Sequence, residues 1–394
     1  MAKNILITGA SIAGNAAAAA LCELGFDVTV VERAPTFRDG GQNIDVRGVG
    51  REVLRRMGLE GAALAQGTGE EGTMWVHADG SAAARFMASE IDGDGPTAEM
   101  EILRGDLARI LYEAAKVRVQ YRFDDHLVSV DDMPDGAMVT FANGECARYD
   151  AVIVAEGVGS ATRDLVFPGE NDPRWMDLTI AYFTIPKTST DDRMWRWFNA
   201  PGKRSVSLRP DRHGTTRAML SVAKKAAGEQ DWDTERQKSF LHDLFADAGW
   251  ETPRILAGMD DADDFYFDAL RQVRMPRWSS GRVILTGDAA WCVTPLGGIG
   301  ATLAVTGAYV LAQELARHEK IAAAFEAYEQ RMRPMVDDGQ GIPKLAPRLM
   351  HPKSGFGIRL LHSVLGVASL QPVRDMTARM IGSPGKQVDL SAYR

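Results

Sequence analysis

The sequence predicts an α/β fold in which a parallel sheet is interrupted by an antiparallel sheet. Two apolar runs, at 5–8 and 28–32, flank an Ala-rich helical pattern at 12–24, which is the arrangement of a βαβ unit. The apolar runs at 151–155 and 283–286 are typical of parallel strands buried on both faces. Between these runs apolar and polar residues alternate, as expected of half-buried antiparallel strands. The alternating segments are 178–185, 205–208 and 217–222.

The remaining elements follow from the same periodicities. Helical patterns are predicted at 49–57, 103–115, 234–248, 299–316, 322–332 and 358–370, and further strands at 75–77, 117–130 and 137–141. Pro343, Pro347 and Pro352 interrupt the last helical region. We therefore predict a discontinuous nucleotide-binding domain, an inserted sheet domain and a terminal helical segment. Their bounds are 1–168 with 275–340, 169–274 and 341–394, and the first part also contributes some strands to the substrate side.

Composition narrows the class of function. The chain has 394 residues and a formal net charge of -8, which argues against nucleic-acid partners and favours a small-molecule substrate. Cys22, Cys146 and Cys292 lack the spacing of a disulfide framework or zinc site, and the seven histidines lack ligand spacing, so we expect no metal. Because no signal peptide and no apolar run of membrane-spanning length are evident, we expect a cytoplasmic protein without integral membrane association, as a monomer or weak homodimer.

A glycine-rich loop joins the first strand to the first helix. Gly9, Ser11 and Gly14 match G-x-G-x-x-G with Ser at the central position. The glycines permit a tight turn and close helix packing, and the helix N-terminus at Ile12 and Ala13 directs N–H groups toward a pyrophosphate. Glu32 ends the second strand, where a carboxylate accepts hydrogen bonds from ribose hydroxyls, and Arg33 follows it. The loop thus predicts a Rossmann-like domain that binds an adenine dinucleotide, without separating NAD from FAD.

A second strand–loop–helix pattern near the C-terminus separates these cofactors. It contains a Gly-Asp pair and a glycine-rich turn: Gly287, Asp288, Pro295, Gly298, Ile299, Gly300 and Ala301. The Asp288 carboxylate can accept a hydrogen bond from a polyol hydroxyl, and the following helix N-terminus favours a flavin that becomes anionic on reduction. This second cradle predicts FAD.

Together these motifs resemble those of class A flavoprotein monooxygenases, the single-component aromatic hydroxylases of the para-hydroxybenzoate hydroxylase fold type. The segment 154–163 resembles their intermediate motif, which implies contacts of Glu156 and Arg163 with NAD(P)H. Glu156 departs from the usual Asp, which leaves this role in doubt. Arg104 matches the family arginine that contacts the flavin; its alternative is a surface arginine at a helix start.

Two positions keep two interpretations each. The segment 40–45 resembles the tetracycline-inactivating branch, in which Asp45 would lie beside the flavin; the same residue could instead cap the helix that begins near Gly48. Trp291 replaces a frequent His of the family, so it could stack on a planar substrate at the flavin, or it could fill the core between the domains.

Substrate contacts are expected from the antiparallel sheet. The candidates are Tyr182, Phe183, Trp195, Trp197, Phe198, Arg204 and Arg217, with Trp291 from the second cradle. Strand alternation sends only half of such residues to one face, and ordinary sheet packing could account for most of the aromatic rings.

The resemblance implies an FAD-dependent monooxygenase. It would use NADPH or NADH and O2 to hydroxylate a planar aromatic or polyketide-like molecule, with a tetracycline-type antibiotic as one candidate, through a C4a-hydroperoxyflavin. Two alternatives stay open: an FAD-dependent reductase or dehydrogenase without oxygen transfer, and a non-catalytic flavoprotein that sequesters a drug.

Overall fold

A computed structural model describes residues 3–90, 100–343, 345–371 and 386–393. The strands in these ranges are β1 (Asn4–Thr8), β2 (Asp27–Glu32), β3 (Asn43–Asp45), β4 (Gly72–Val76), β5 (Ala82–Met87), β6 (Glu101–Leu103), β7 (Gln120–Phe123), β8 (Leu127–Met133), β9 (Gly136–Phe141), β10 (Cys146–Tyr149), β11 (Ala151–Val154), β12 (Arg174–Pro186), β13 (Met194–Ala200), β14 (Arg204–Pro210), β15 (Thr215–Val222), β16 (Tyr266–Gln272), β17 (Ser279–Ser280) and β18 (Val283–Leu285). The helices are α1 (Ile12–Glu23), α2 (Val49–Arg56), α3 (Glu60–Leu64), α4 (Arg104–Ala115), α5 (Ala161–Val166), α6 (Thr234–Phe245), α7 (Thr252–Asp260), α8 (Asp288–Trp291), α9 (Gly300–Arg317), α10 (Ile321–Gly339), α11 (Ala346–Met350) and α12 (Gly355–Ala368).

A six-stranded sheet forms the centre of the first domain, in the order β17-β18-β11-β1-β2-β7. All neighbours except β17 and β18 pair in parallel, so the carboxyl ends of β1, β2, β11 and β18 lie at one edge. The strands β11 and β18 are buried at every residue, as their uninterrupted apolar sequence predicts. Helix α1 packs against α4 and α9. The predicted α/β class is confirmed.

A seven-stranded sheet, ordered β16-β12-β15-β14-β13-β4-β5, forms the second layer. Helices α6 and α7 cover one face, where Phe183, Phe198, Leu220, Phe245 and Ile255 belong to one buried cluster. Strands β4 and β5 come from the chain before residue 168 and join through the parallel pair β4–β13. The opposite face carries aromatic and charged residues of the same strands and is partly covered by the C-terminal segment, since Asn199 Nδ2 donates to the Met350 carbonyl at 2.8 Å and Ser221 Oγ lies 2.9 Å from His351 Nε2.

Several boundaries differ from the sequence prediction. The single strand expected at 117–130 is two strands, because the chain turns at Asp124, which has a φ of 57°. The helix expected at 322–332 continues through Pro334 to Gly339. Strand β13 and helix α7 were not predicted; the sequence of β13, with Trp195, Arg196 and Trp197 in succession, lacks clean alternation.

The described parts of the C-terminal segment pack on two different parts of the protein. Helix α12 packs on β5 and β13. Residues 386–393 return to the first domain, where Arg56 Nη1 donates to the carbonyls of Leu390 and Tyr393 at 2.9 Å. Within the described ranges, we find no helix that combines the length and the apolar character needed to cross a membrane.

Candidate functional site

The loop after β1 is packed so tightly that only glycine fits at two of its positions. A Cβ on Gly14 would lie 1.8 Å from the Gly9 carbonyl oxygen, and a Cβ on Gly9 would lie 2.6 Å from the Ala155 carbonyl oxygen. Ser11 precedes α1 without a side-chain cap, and the first turn carries no acidic residue. The open N–H groups and the helix dipole at this point suit a pyrophosphate.

Glu32 is held at the end of β2 in the position predicted for ribose recognition. Its carboxylate oxygens accept hydrogen bonds from Ala10 N and Ala34 N, both at 2.8 Å. These two bonds fix the carboxylate beside the glycine loop, and its remaining lone pairs can accept ribose hydroxyls. Arg33, the next residue, is exposed.

The C-terminal cradle meets the N-terminal loop directly. A Cβ on Gly287, whose φ is 59°, would lie 2.8 Å from the Ala13 side chain. Helix α9 begins at Gly300 after Ile299, without a side-chain cap or an acidic residue in its first turn, as α1 does. Gly298, at a φ of 62°, has open space where its Cβ would be. Pro295 and Ala301 flank this turn. The loops that precede these two uncapped helices thus lie side by side.

Arg104 and Asp288 lie near these loops and close enough for their charges to interact. Arg104 Nη2 donates to Ser11 Oγ at 2.8 Å, and Arg104 N donates to the Gln42 carbonyl at 2.9 Å. The enclosing protein raises the pKa of Asp288, and the Arg104 charge opposes this shift, although the Asp288 side chain remains accessible to water. An accessible yet poorly hydrated carboxyl is suited to hydrogen-bond a ligand hydroxyl. The glycine cradles and this acceptor fit FAD.

Asp45 faces the same region and does not cap a helix. Its Oδ2 accepts from Arg47 Nη2 at 2.9 Å, whereas α2 begins after Gly48 without any side-chain cap. The capping interpretation is therefore wrong. Asp45 Oδ1 is buried and accepts no hydrogen bond from the residues the structure describes, so it is available to a ligand that donates one.

The face of the seven-stranded sheet that α6 and α7 do not cover contacts these loops. Asn43 Nδ2 donates to the Pro210 carbonyl at 3.0 Å, and Arg217 Nη1 donates to the Gly41 carbonyl at 3.3 Å. We call the space between this face and the loops after β1, β3 and β18 the cleft. Tyr266 belongs to its wall: the residue is 47% exposed, yet the enclosing protein, together with Asp268, raises its pKa.

Three of the predicted aromatic residues lie on the cleft side. The Trp195 and Trp197 rings on β13 are 4.9 Å apart between centroids. Tyr182 lies on the same face of the sheet, on β12, which is separated from β13 by β15 and β14. Burial raises the pKa of Tyr182 to about 12, so its hydroxyl stays protonated at neutral pH. Phe183 and Phe198 point instead to the buried cluster under α6 and α7, so their predicted substrate contacts are wrong.

The two predicted arginine anchors are engaged elsewhere. Arg204 lies on the covered face, where Nε donates to the Pro201 carbonyl at 2.7 Å and Nη1 donates to the Leu244 carbonyl at 2.6 Å near the end of α6. Its predicted substrate contact is wrong. Arg217 does face the loops, but Thr184 Oγ1, Asp211 and Asp264 accept from it at 2.6 to 3.1 Å. Because Arg217 also donates to the Gly41 carbonyl, it joins the sheet to the segment between β2 and β3.

Trp291 fills the core. It is 1% exposed, and its ring lies 4.4 Å from Trp278 and 6.0 Å from Tyr328 between centroids. Gly307 of α9 makes room for it, because a Cβ there would lie 2.9 Å from the indole. The prediction of substrate stacking is wrong; Trp291 is a core residue as the second interpretation held, but it lies with Trp278 and Tyr328 in the core around the parallel sheet and not between the domains.

The predicted nicotinamide-contact residues have structural partners. The Glu156 carboxylate accepts from Ser160 Oγ at 2.7 Å and from Thr162 N at 3.0 Å, so it organises the first turn of α5. Arg163 is 3% exposed and donates to the Val158 carbonyl at 3.1 Å. A buried guanidinium cannot meet a co-substrate at the surface, so that prediction for Arg163 is corrected, while the role of Glu156 stays a prediction.

A charged group on the cleft wall was not predicted from the sequence. Arg209 Nε lies 2.6 Å from Glu70 Oε2, and its Nη2 lies 3.0 Å from Glu101 Oε1. The guanidinium also stacks on the Trp195 ring, 4.0 Å from the centroid. We call Glu70, Glu101 and Arg209 the wall cluster. The available signal was alternation, since Arg209 is two residues beyond Ser207 on the cleft face of β14.

The described residues contain no group of three or more His, Cys, Asp or Glu side chains placed to hold a metal ion.

Comparisons with known proteins agree with this geometry. The family described as FAD binding domain matches residues 2–338. The chain is 35% identical to FAD-dependent monooxygenase asL4 of Sarocladium schorii, over 93% of this chain and 92% of that protein. It is 36% identical to flavin-dependent monooxygenase eupH of a Phoma species, over 93% and 91% respectively. The crystal structure of tetracycline destructase Tet(51) superimposes with a TM-score of 0.80 at 31% identity, over 94% of this chain and 97% of that one.

Proposed function

The chain belongs to the FAD binding domain family, as an FAD-dependent monooxygenase, and we propose that it uses NADPH or NADH with O2 to hydroxylate a planar aromatic or polyketide-like molecule. The observation that carries the substrate class is the aromatic wall of the cleft. Tyr182, Trp195 and Trp197 present ring surfaces opposite the loops that fit FAD. Such surfaces favour a flat ligand through stacking and burial of apolar area.

The residues of the chain divide the work between holding the cofactor and holding the substrate. The N-terminus of α1 and Glu32 would hold the adenosine diphosphate portion of FAD, and Asp288 with α9 would hold the flavin portion. Bound FAD supplies the redox chemistry, taking hydride from the nicotinamide and activating O2. No protein nucleophile is needed, so the chain contributes orientation, exclusion of water and electrostatic stabilisation.

Arg209 supplies a polar anchor on the aromatic wall. Its hydrogen bonds and ion pairs to the described residues use Nε and Nη2, which leaves the Nη1 N–H groups to a substrate oxygen. A ligand flat against Trp195 and Trp197 can thus direct one oxygen to this edge. We assign the anchoring role to Arg209 instead of Arg204.

A tetracycline-type molecule is one candidate of this class. The similarity to tetracycline destructase Tet(51) over nearly the whole chain supports it, as does the polyketide-like shape that the aromatic wall favours. The names of the relatives asL4 and eupH give monooxygenases without a substrate, so the substrate panel extends beyond antibiotics.

The test is a screen of planar phenols, aromatic acids and tetracyclines for faster NADPH and NADH oxidation by the FAD-loaded enzyme. The expected result is a ligand that accelerates oxidation and gains one oxygen atom, detected by mass spectrometry. A ligand that is reduced without gaining oxygen would support a reductase instead. If neither nicotinamide reduces the flavin with any ligand that binds, the protein is a binding flavoprotein and the proposal fails.

A further inference from the structure

The wall cluster places two carboxylates against one guanidinium in a nearly water-free position. The Glu70 side chain is 0% exposed, and those of Glu101 and Arg209 are 5% and 12% exposed. Glu101 also accepts from Asn43 Nδ2 at 2.6 Å and from Thr68 Oγ1 at 2.8 Å. Glu101 is therefore well supplied with donors, whereas the Glu70 carboxylate depends on Arg209 alone among the side chains described around it.

This imbalance decides which carboxyl keeps a proton. Burial raises the pKa of Glu70 to about 8; the charge of Arg209 opposes the shift, and the negative charges of Glu101 and Asp45 add to it. The charged residues Lys187, Arg193, Asp211 and Arg212 line the neighbouring cavity. Near neutral pH the Arg209 charge is then balanced by Glu101, with Glu70 neutral. Above about pH 8 the cluster acquires a surplus negative charge, in a position where water screens it poorly.

An anionic ligand at Arg209 would add a negative charge within a few ångströms of Glu70. The cluster can accept that charge at low cost only if Glu70 holds its proton. A route for proton exchange lies beside it, since a cavity of about 400 Å³ is lined by Gly67, Thr68 and Pro210. Thr68 lines this cavity and also donates to Glu101, so the cluster is one side chain away from solvent.

We propose that Glu70 is a positioning residue that couples substrate charge to proton uptake: when an ionised substrate oxygen, a phenolate or enolate, binds at Arg209, Glu70 takes up or retains one proton from solvent. The inference rests on the proposed function, in which Arg209 anchors the substrate. The coupled step forms only the O–H bond of the Glu70 carboxyl, and the proton comes from water through the cavity. A phenolate is the electron-rich form of an aromatic ring, so the device would select the form of the substrate that donates electrons most readily.

The test uses 2,4-dinitrophenol, which is ionised throughout the working range, as the probe of the FAD-loaded enzyme. Calorimetric titration in buffers with different ionisation enthalpies measures the protons taken up on binding. With a Glu70 pKa of about 8, uptake should be near zero at about pH 6.5 and approach one proton at about pH 9.5. The affinity should fall about 30-fold over the same range, because protonation becomes progressively less favourable.

Variants identify the group. Glu70→Gln should bind the probe without proton uptake and with a pH-independent affinity. Glu71→Gln is the matched control, since Glu71 is the neighbouring carboxylate, is 52% exposed and pairs with the surface residue Arg193; it should behave as the wild type. If Glu70→Gln does not fold, the midpoint of the wild-type uptake curve, near pH 8, still tests the assignment.

Three results would overturn the inference: proton uptake that persists in Glu70→Gln, uptake that is absent or independent of pH in the wild type, or failure of the wild type to bind the probe. The non-ionisable 2,4-dinitroanisole should bind without proton uptake. Because these measurements need no turnover, they can fail while hydroxylation is observed, and they can succeed when no hydroxylated product is found. The two proposals are therefore tested separately.

Discussion

Replacement of Gly14 by alanine should weaken FAD binding through one steric contact. The new Cβ would lie 1.8 Å from the Gly9 carbonyl oxygen, whereas real Cβ atoms essentially never come closer than 3.0 Å, so α1 or the loop must move by roughly 1.2 Å. A movement of this kind in a closely packed place costs about 1 to 3 kcal/mol. If the whole cost falls on the cofactor-bound geometry, the Kd for FAD rises about 5- to 150-fold.

The measurement is a titration of apoprotein with FAD, followed by quenching of flavin fluorescence. Gly61→Ala is the matched control, because Gly61 also lies in a helix, α3, but has open space where its Cβ would be. It should leave FAD affinity unchanged and, through helix propensity, add up to about 1 kcal/mol of stability. Wild-type affinity in Gly14→Ala, or an equal loss in both variants, would refute the steric argument.

Four further outcomes follow from the packing and charges. Trp291→Ala should lower the free energy of unfolding by about 3 to 5 kcal/mol because it opens a core cavity, as measured by denaturant unfolding. Trp197→Ala should mainly raise the KM for substrate, as measured by steady-state kinetics. The opposite assignment of the two effects would contradict this prediction. Asp288→Asn should weaken FAD binding about 10- to 100-fold if the carboxylate accepts a flavin-side hydroxyl, and unchanged fluorescence titrations would exclude that role. Glu156→Ala should cost about 1 to 3 kcal/mol of stability because it removes the acceptor in the first turn of α5. The denaturant midpoint should shift accordingly, while turnover per folded enzyme is retained. A loss of NADPH affinity in the folded variant would instead support a nicotinamide contact for Glu156. Because the pKa of Glu70 is raised to about 8 in the folded state, its contribution to stability is complete below about pH 4.5 and is lost as the pH rises toward 8, by at most about 5 kcal/mol. Glu70→Gln should flatten this part of the plot of unfolding free energy against pH. An unchanged plot would contradict the burial of Glu70.

The parts of the site that sequence could predict are those formed by short stretches of chain. Gly9, Gly14 and Glu32 belong to one βαβ unit, so the turn, the helix start and the carboxylate follow from local pattern. The second cradle, from Gly287 to Gly300, is equally local. The contact of Gly287 with Ala13 is not, but the parallel order of β1, β11 and β18 brings the two loops to one edge.

Side-chain roles on the sheet could not be predicted in the same way. Arg204 and Arg209 lie five positions apart on β14, so alternation places them on opposite faces, but the sequence does not say which face α6 covers. That is decided by long-range packing of Phe183 and Phe245 in one cluster. The wall cluster joins residues 70, 101 and 209, which no local pattern connects.

Trp291 shows a different limit. The family motif predicted that Trp291 follows the Gly-Asp pair of the second cradle, and the backbone of α8 is at that position. The direction of its side chain depends on Gly307, which opens space on the core side, and on Trp278 and Tyr328, which occupy that side. Position in a motif predicted the place of the residue, while packing determined the direction of its ring.

We expect one FAD to lie between the two cradles with its flavin portion toward the aromatic wall. The most direct measurement is a crystal structure of the FAD-loaded enzyme. The pyrophosphate is expected at the N-terminus of α1, the adenosine ribose at Glu32, and the ribityl chain of the flavin at Asp288. Density for the flavin away from Asp288, or a stoichiometry other than one FAD per chain, would contradict it.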